Sequence, residues 1–481
     1  MAGVGIKLNR IFNKRSLMSS LYGIACSISY TIAPMLVVIG CLLLMFTVLG
    51  FDSVGMLERE LFSCTILYIF IFALLSSSPF NSVLSKYMAD HIYTEDYDDI
   101  RPCIFFGLGC CMVLAAVLGI PFYLHVYFKG GVPAYYVFTS FMCFLALALV
   151  FCSMIFNSIL KAYKFISVYF VIGMLVTFLF SLLFHFLLQM SITYSMLLAL
   201  TIGFLLIAVL QMSHALKYFK NSSHRFRPVA RTFKRYWKLV AANFLYTFGL
   251  FAHNFVFWTH PWRMIVVNSY VCNQPYDMAT CIAMFTNISA TTFFISKVEM
   301  HFHEHYAQYM NAIIGGKLDT IEKAKNRMFR TLSNQLLTLV RLQFCVSIVI
   351  FLLANIFLPI LGCSGITMQI YSLMAVGYFM SFLYYSLMLY LYYFNDLSGA
   401  AISALIFAGG TVIGSFISMH LPVIWYGLGF TLASLAAFTY SYFRLRWIEK
   451  RLDHFIFCRG SIMEKGVGKK PPALVFSRSS T

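Results

Sequence analysis

The side chains able to do chemistry in this 481-residue chain are mostly neutral. The densest cluster is HFHEH, where His301 and His305 stand four apart around His303 and Glu304. That spacing puts two histidines on one helix face, which suits zinc; the alternative is three incidental histidines on a polar helix. Four more histidines, His125, His185, His214 and His253, fall in apolar stretches, where a neutral ring bonded to a neighbour competes with a proton-carrying one. Thirteen cysteines are scattered without metal spacing; Cys110 and Cys111 read as small apolar residues, while Cys272 and Cys281 lie close enough in sequence to pair. Two charged pairs suggest gates, Lys86 with Asp90 and Arg263 with Asp277, or ordinary surface pairs. No GxxxxGK[ST] loop and no paired carboxylates in a plausible pocket occur, so direct catalysis is not expected.

The elements that must position these groups are set by twelve apolar stretches, near 20–49, 61–83, 103–128, 133–158, 165–188, 193–216, 239–259, 278–296, 342–361, 366–394, 399–418 and 423–443. None contains Asp, Glu, Lys or Arg, although the chain carries 35 Lys+Arg. A charge at the centre of a membrane helix costs roughly 2.5–3.5 kcal/mol, and about 20 apolar residues span a bilayer. Hydrophobic residues make up 60% and charged residues 11%, a balance no soluble core absorbs. The expected fold is all-α and polytopic, with about twelve transmembrane helices in two six-helix lobes.

Orientation follows from the basic residues. With the N-terminus in the cytosol, every Lys and Arg except Arg59, Lys129 and Arg263 falls on the cytosolic side. Both termini are therefore expected there, in a multi-pass protein of the cytoplasmic membrane. The net charge of +18 reflects topology and attraction to anionic lipid, and no basic folded domain exists to bind nucleic acid. The chain divides into an amphipathic segment at 1–19, a lobe at 20–216, a basic connector at 217–238, a second lobe at 239–443 and a basic tail at 444–481. Within the second lobe, 297–341 reads as two cytosolic helices broken at Gly315-Gly316. The connector, with Arg225, Arg227, Arg231, Lys234 and Arg235, is either a headgroup anchor or, together with Glu299, a docking site for a partner.

Several blocks carry a family resemblance. SSSPFNSVLSKYMADHIYTEDYDDIRP resembles the Pel exopolysaccharide transporter family (PelG) through Pro79, Lys86, Tyr87, Asp90, Tyr93, Tyr97, Asp98 and Pro102. MAGVGIKLNRIF and SILKAYKF, with Leu160, Lys161 and Tyr163, are similar to that family as well. The most specific block runs from FVFWTHPWR to IIGGKLDTIEKAK, matching at Phe257, Trp258, Pro261, Tyr276, Asp277, Glu299, Phe302, Tyr306, Gly315, Gly316 and Ile321. One departure is His253-Asn254, where the family's pattern has charged residues. The family's acidic and aromatic pattern around 299–306 leaves His301, His303 and His305 incidental, so no metal and no cofactor are expected.

The resemblance implies the fold shared by lipid-linked oligosaccharide flippases and multidrug exporters. It also implies passage of a hexosamine-rich polysaccharide or its lipid-linked precursor, with a cytosolic glycosyltransferase and other membrane subunits as partners. Sugar chemistry suits a neutral interior, because ring faces stack on aromatic groups and hydroxyls need polar partners. Trp258, Tyr378, Tyr384, Tyr385, Asn287 and Thr291 are the candidate pathway residues. Ordinary packing, and hydrogen bonds between helices, are the competing account of the same side chains. A cation-coupled multidrug exporter and a non-transporting scaffold remain the alternatives; the first lacks membrane carboxylates.

Overall fold

In the computed structural model the described residues are 17–93, 97–160, 162–219, 222–223, 225–285, 299–360 and 363–459. The first half comprises α1 (Leu17–Val48), α2 (Met56–Tyr93), α3 (Ile100–Gly130), α4 (Ala134–Ile159), α5 (Tyr163–Leu182, extended by a wide turn at Leu183–Leu187) and α6 (Ile192–Tyr218). A short helix α7 (Arg227–Arg235) leads into α8 (Trp237–Phe257). A two-stranded antiparallel hairpin follows, β1 (Met264–Val266) and β2 (Tyr270–Cys272), then α9 (Gln274–Phe285) and α10 (Glu299–Gly315). The remainder is α11 (Leu318–Ile360), α12 (Gly365–Tyr393), α13 (Leu397–Ser418) and α14 (Leu428–Arg459).

Ten of these helices are long and apolar enough to cross a membrane: α2 to α6, α8 and α11 to α14. The other two expected spans lie partly outside this set. The first is helical as α1, with Ala33–Val48 as its described apolar part; of the eighth, 278–285 belong to α9 and 286–296 lie outside the described residues. Helix α11 has 43 residues, roughly 64 Å at 1.5 Å each, so it joins the charged stretch from Leu318 to an apolar span without a break. The turn at Gly315-Gly316 separates it from α10.

The helices bury two hydrophobic cores. One gathers residues from Val38 to Cys272 and the other from Ala242 to Leu452. The overlap is α8, an apolar helix with two invested faces. Phe251 and Trp258 are buried in the first core, with Phe244, Phe248 and Phe255 against it; Ala242 and Phe257 are buried in the second. Helix–helix contacts in a bilayer gain nothing from the hydrophobic effect, so close backbone approach and hydrogen bonds carry them. Gly414 and Gly429 supply the first, letting α13 and α14 touch backbone to backbone. Ser153, Asn157, Gln211 and His214 supply the second between α4 and α6, with Ser153 donating to Gln211 at 2.7 Å.

Helix α7 is amphipathic. Val229 is fully buried and Phe233 packs on Phe80 and Phe106, while Arg225, Arg227, Arg231, Lys234 and Arg235 are exposed. Arg101 closes α6 by donating to the carbonyls of Phe219 and Leu216, at 2.5 and 3.0 Å. A cation at a helix C-terminus satisfies both its free carbonyls and its dipole. Ser223 in the connector donates to Asp99, and its backbone N–H donates to the Asp98 carbonyl at 2.9 Å.

Candidate functional site

Helices α2 and α8 run antiparallel and form the seam between the lobes. From Tyr68 to Phe72 on α2 the partners fall from Trp258 to Phe255, and further along α2 they lie at Phe233 and Tyr236, at the start of the α7–α8 segment. Tyr68 stacks on Trp258 with centroids 4.7 Å apart and planes within 8°. Phe72 stacks on Phe255 at 5.9 Å, and at the inner end the Lys86 ammonium lies 4.6 Å from the centre of the Tyr236 ring. Phe122 of α3 adds a third surface, 5.2 Å from Tyr68. On α8, Phe244, Phe248, Phe255 and Trp258 fall on a single helical stripe, which is why one face of that helix is aromatic.

The Trp258 end of the seam is polar and centred on one carboxylate. Asp277, buried at the start of α9, accepts the Trp258 indole N–H on both oxygens, at 3.1 and 3.0 Å. It also accepts from the Asn254 amide at 2.7 Å and the Asn273 backbone N–H at 2.9 Å. Tyr68 completes the arrangement by gripping the hairpin, donating to the Val271 carbonyl at 2.7 Å and accepting from its N–H at 3.2 Å. One carboxylate thus anchors the tryptophan that stacks on the opposite lobe.

The expected gate pairs are not what forms. Arg263 is exposed and makes no ion pair with Asp277 among the described residues, because neutral donors already occupy that carboxylate. Lys86 lies within electrostatic range of Asp90, yet its ammonium rests on Tyr236, across the seam rather than along its own helix. Cys272 and Cys281, near enough in sequence to pair, are not paired either. Cys281 is exposed, and Cys272 lies against Cys64 of α2.

The pathway tyrosines divide. Tyr378 and Tyr384 are buried inside the second lobe, turned away from the seam. Tyr378 shares His253 with Tyr276, and Tyr384 meets Ser403 at 3.4 Å. Tyr385 is half-buried and stacks on Tyr246 at 4.8 Å. These rings fill space between α8, α12 and α13, as a tyrosine does when its hydroxyl finds a partner in a bundle. Asn287 and Thr291 lie outside the described residues, and Glu299 opens α10. Glu304 is exposed and His305 half-buried, His305 facing Gln308 at 3.2 Å, and no three metal-ligating side chains cluster among the described residues.

Tyr68, Phe72, Asn254, Asn273 and Phe255 carry the seam, and sequence reasoning singled out none of them for it. Beside the stack, Tyr68, Phe72, Leu118, Gly119, Phe122, Tyr123 and Phe144 enclose a cavity of about 40 Å³. Ligand pockets run to roughly 300–1,000 Å³, so this space admits no sugar ring. The lobes are in contact at both ends of the α2–α8 seam.

A family model described as "PelG: Putative exopolysaccharide Exporter (EPS-E)" matches residues 1–457. No curated protein matches the sequence. Among solved structures, the chain is similar to the inward-facing and outward-facing conformations of a multidrug resistance MATE family transporter of the MOP superfamily. Their TM-scores are 0.53 and 0.55, each at 13% identity over 88% of this chain and 96% of the other. A MOP superfamily transporter from Pyrococcus furiosus Vc1, described by the reverse polarity of its binding pocket, aligns with TM-score 0.52 at 13% identity over the same shares. At that identity the likeness is one of fold.

Proposed function

This chain belongs to the PelG exopolysaccharide exporter family, and we propose that it passes a hexosamine-rich polysaccharide, or its lipid-linked precursor, between its two lobes along the α2–α8 seam. It is a multi-pass membrane transporter. The observation that carries the choice of route is the seam itself, a run of aromatic faces from Phe72 and Phe255 to Tyr68 and Trp258. From Leu61 to Ser85 on α2 and from Leu239 to Trp258 on α8 there is no Asp, Glu, Lys or Arg. Aromatic faces accept the C–H faces of pyranose rings, and a neutral wall does not trap a polymer by its charge.

Orientation in the cytoplasmic membrane, with both termini in the cytosol, rests on the distribution of Lys and Arg. The exposed basic face of α7, with α10 and the cytosolic part of α11, supports docking of the glycosyltransferase that makes the polymer. The fold likeness to multidrug transporters favours a second reading, ion-coupled drug export. The absence of Asp and Glu from residues 61–85 of α2 and from 239–258 weighs against it, because such coupling uses carboxylates embedded in the spans.

The test replaces Phe72 and Phe255 with alanine, singly and together, in cells whose own copy is deleted. Extracellular hexosamine polymer and the membrane level of the transporter are measured side by side. The route predicts lost export with the protein still present, and unchanged export by the double variant overturns it. A change in drug susceptibility with export intact would support the second reading instead.

A further inference from the structure

Cys64 and Cys272 stand 208 positions apart, yet their sulfurs lie 3.1 Å from each other and both side chains are buried. Cys64 is in the outer part of α2; Cys272 ends β2. One turn along α2 from Cys64, Tyr68 holds Val271, the neighbour of Cys272, by two hydrogen bonds. The sulfurs are therefore presented to each other by a backbone contact that does not depend on them. They sit at the end of the molecule that carries few Lys and Arg, the side facing away from the cytosol by that criterion. Outside the cytosol paired thiols are oxidised rather than kept reduced.

We propose that Cys64 and Cys272 are a disulfide site joining α2 of the first lobe to the outer hairpin of the second. The two thiols give up two protons and two electrons. The acceptor is a protein disulfide of an oxidising thiol–disulfide exchange catalyst, which leaves as a dithiol after a mixed disulfide with one of the two cysteines. A sulfur–sulfur bond is about 2.05 Å long, so the pair closes by about 1 Å. Exchange takes place before the hairpin docks, since both sulfurs are covered afterwards. The consequence for transport rests on the route proposed above: while the bond is intact, the contact between α2 and the hairpin stays closed, and the hairpin moves with the first lobe.

Cys111 and Cys152 are also neighbours, but inside α3 and α4, within the membrane spans and out of reach of a soluble catalyst. They serve as an internal control. Membranes denatured in detergent are treated with a maleimide-linked polymer before and after reduction, and linked peptides are identified by mass spectrometry. Without reductant the wild type is expected to take up two labels fewer than its thirteen cysteines allow, with a peptide joining Cys64 to Cys272. Cys64→Ser and Cys272→Ser are each expected to label to the same extent with and without reductant. Full labelling of the unreduced wild type, or a linked peptide joining any other pair, overturns the proposal. Neither readout needs polymer export, so the disulfide can fail while the transport route stands, and the reverse.

Discussion

Trp258 gives its one N–H to both oxygens of Asp277 while its ring lies flat on Tyr68, so a single side chain couples the outer carboxylate to the opposite lobe. Hydrogen bonds to a charged group contribute roughly 1.5–3 kcal/mol. Trp258→Phe keeps the stacking face and removes the donor; it should lower the unfolding temperature in detergent. Because the two residues act together, Trp258→Phe with Asp277→Leu should cost less than the two single changes added. Strict additivity would show that they do not form a unit.

A second buried carboxylate ties α13 to α14 in the second lobe. Asp396 accepts from Arg444 at 2.6 and 3.1 Å and from the Gly399 N–H at 3.2 Å, which caps α13 and fastens it to α14. Asp396 is 4% exposed, and breaking a buried pair costs about 3–5 kcal/mol. Arg444→Ala should therefore reduce the yield of folded protein sharply. Arg444→Lys should recover only part, since an ammonium cannot make the two-pronged contact. An Arg444→Ala protein as stable as wild type would contradict this account.

The crossing of α13 and α14 depends on the absence of side chains. A Cβ on Gly429 would meet the Gly414 carbonyl carbon at 2.1 Å and the Ser415 nitrogen at 2.4 Å, both backbone atoms that cannot step aside. Overpacking of this kind costs about 1–3 kcal/mol or more. Gly429→Ala should lower the unfolding temperature, whereas Gly409→Ala, with nothing within 4 Å of its Cβ, should leave it near wild type. Equal behaviour of the two variants would dismiss the close crossing.

His260, in the outer turn after α8, should give the protein an acid-sensitive edge. Its Nδ1 accepts from the Trp262 N–H at 3.1 Å and its Nε2 faces the Tyr426 hydroxyl at 3.2 Å, so the neutral ring fits and the charged ring does not. Burial, then nearby His420, hold its pKa below the ordinary histidine value of about 6.5. Between the lowered value and 6.5 the unfolded chain takes up a proton that the folded one refuses, so stability rises with pH through that window and is lost on acidification below about 6.5. Unfolding temperatures measured from pH 8 to 5 should fall at the acid end, and the fall should be smaller for His260→Gln. Identical profiles would remove His260 as its source.

Much of the fold was legible because one physical cost dominates it. Keeping charge out of hydrocarbon marks the spans, and the two adjacent glycines at 315–316 mark the break between α10 and α11. The seam was less legible. Tyr68 stands in a run, LYIFIF, that is apolar on every face, and no periodicity tells which ring meets the other lobe. Trp258 and Asp277 stood out, but the partner assigned to Asp277 was Arg263, the nearest cation in sequence. The structure uses Asn254, Asn273 and an indole instead. Neutral donors announce themselves less loudly than a cation, and a carboxylate can be satisfied by three of them. The tyrosines of α12 show the opposite failure: seven of one kind in one helix, with nothing in the residue type to separate a packed ring from a lining one.

The neutrality of the ring stacks between α2 and α8 also has an electrical meaning. A membrane potential of 100 mV performs about 2.3 kcal/mol of work on each elementary charge carried across the bilayer. Parting Tyr68 from Trp258 and Phe72 from Phe255 displaces dipoles and ring faces but no formal charge. The voltage across the membrane has no handle on the ring stacks themselves; it acts only on the Lys86 ammonium and the Asp277 carboxylate at the two ends of the seam.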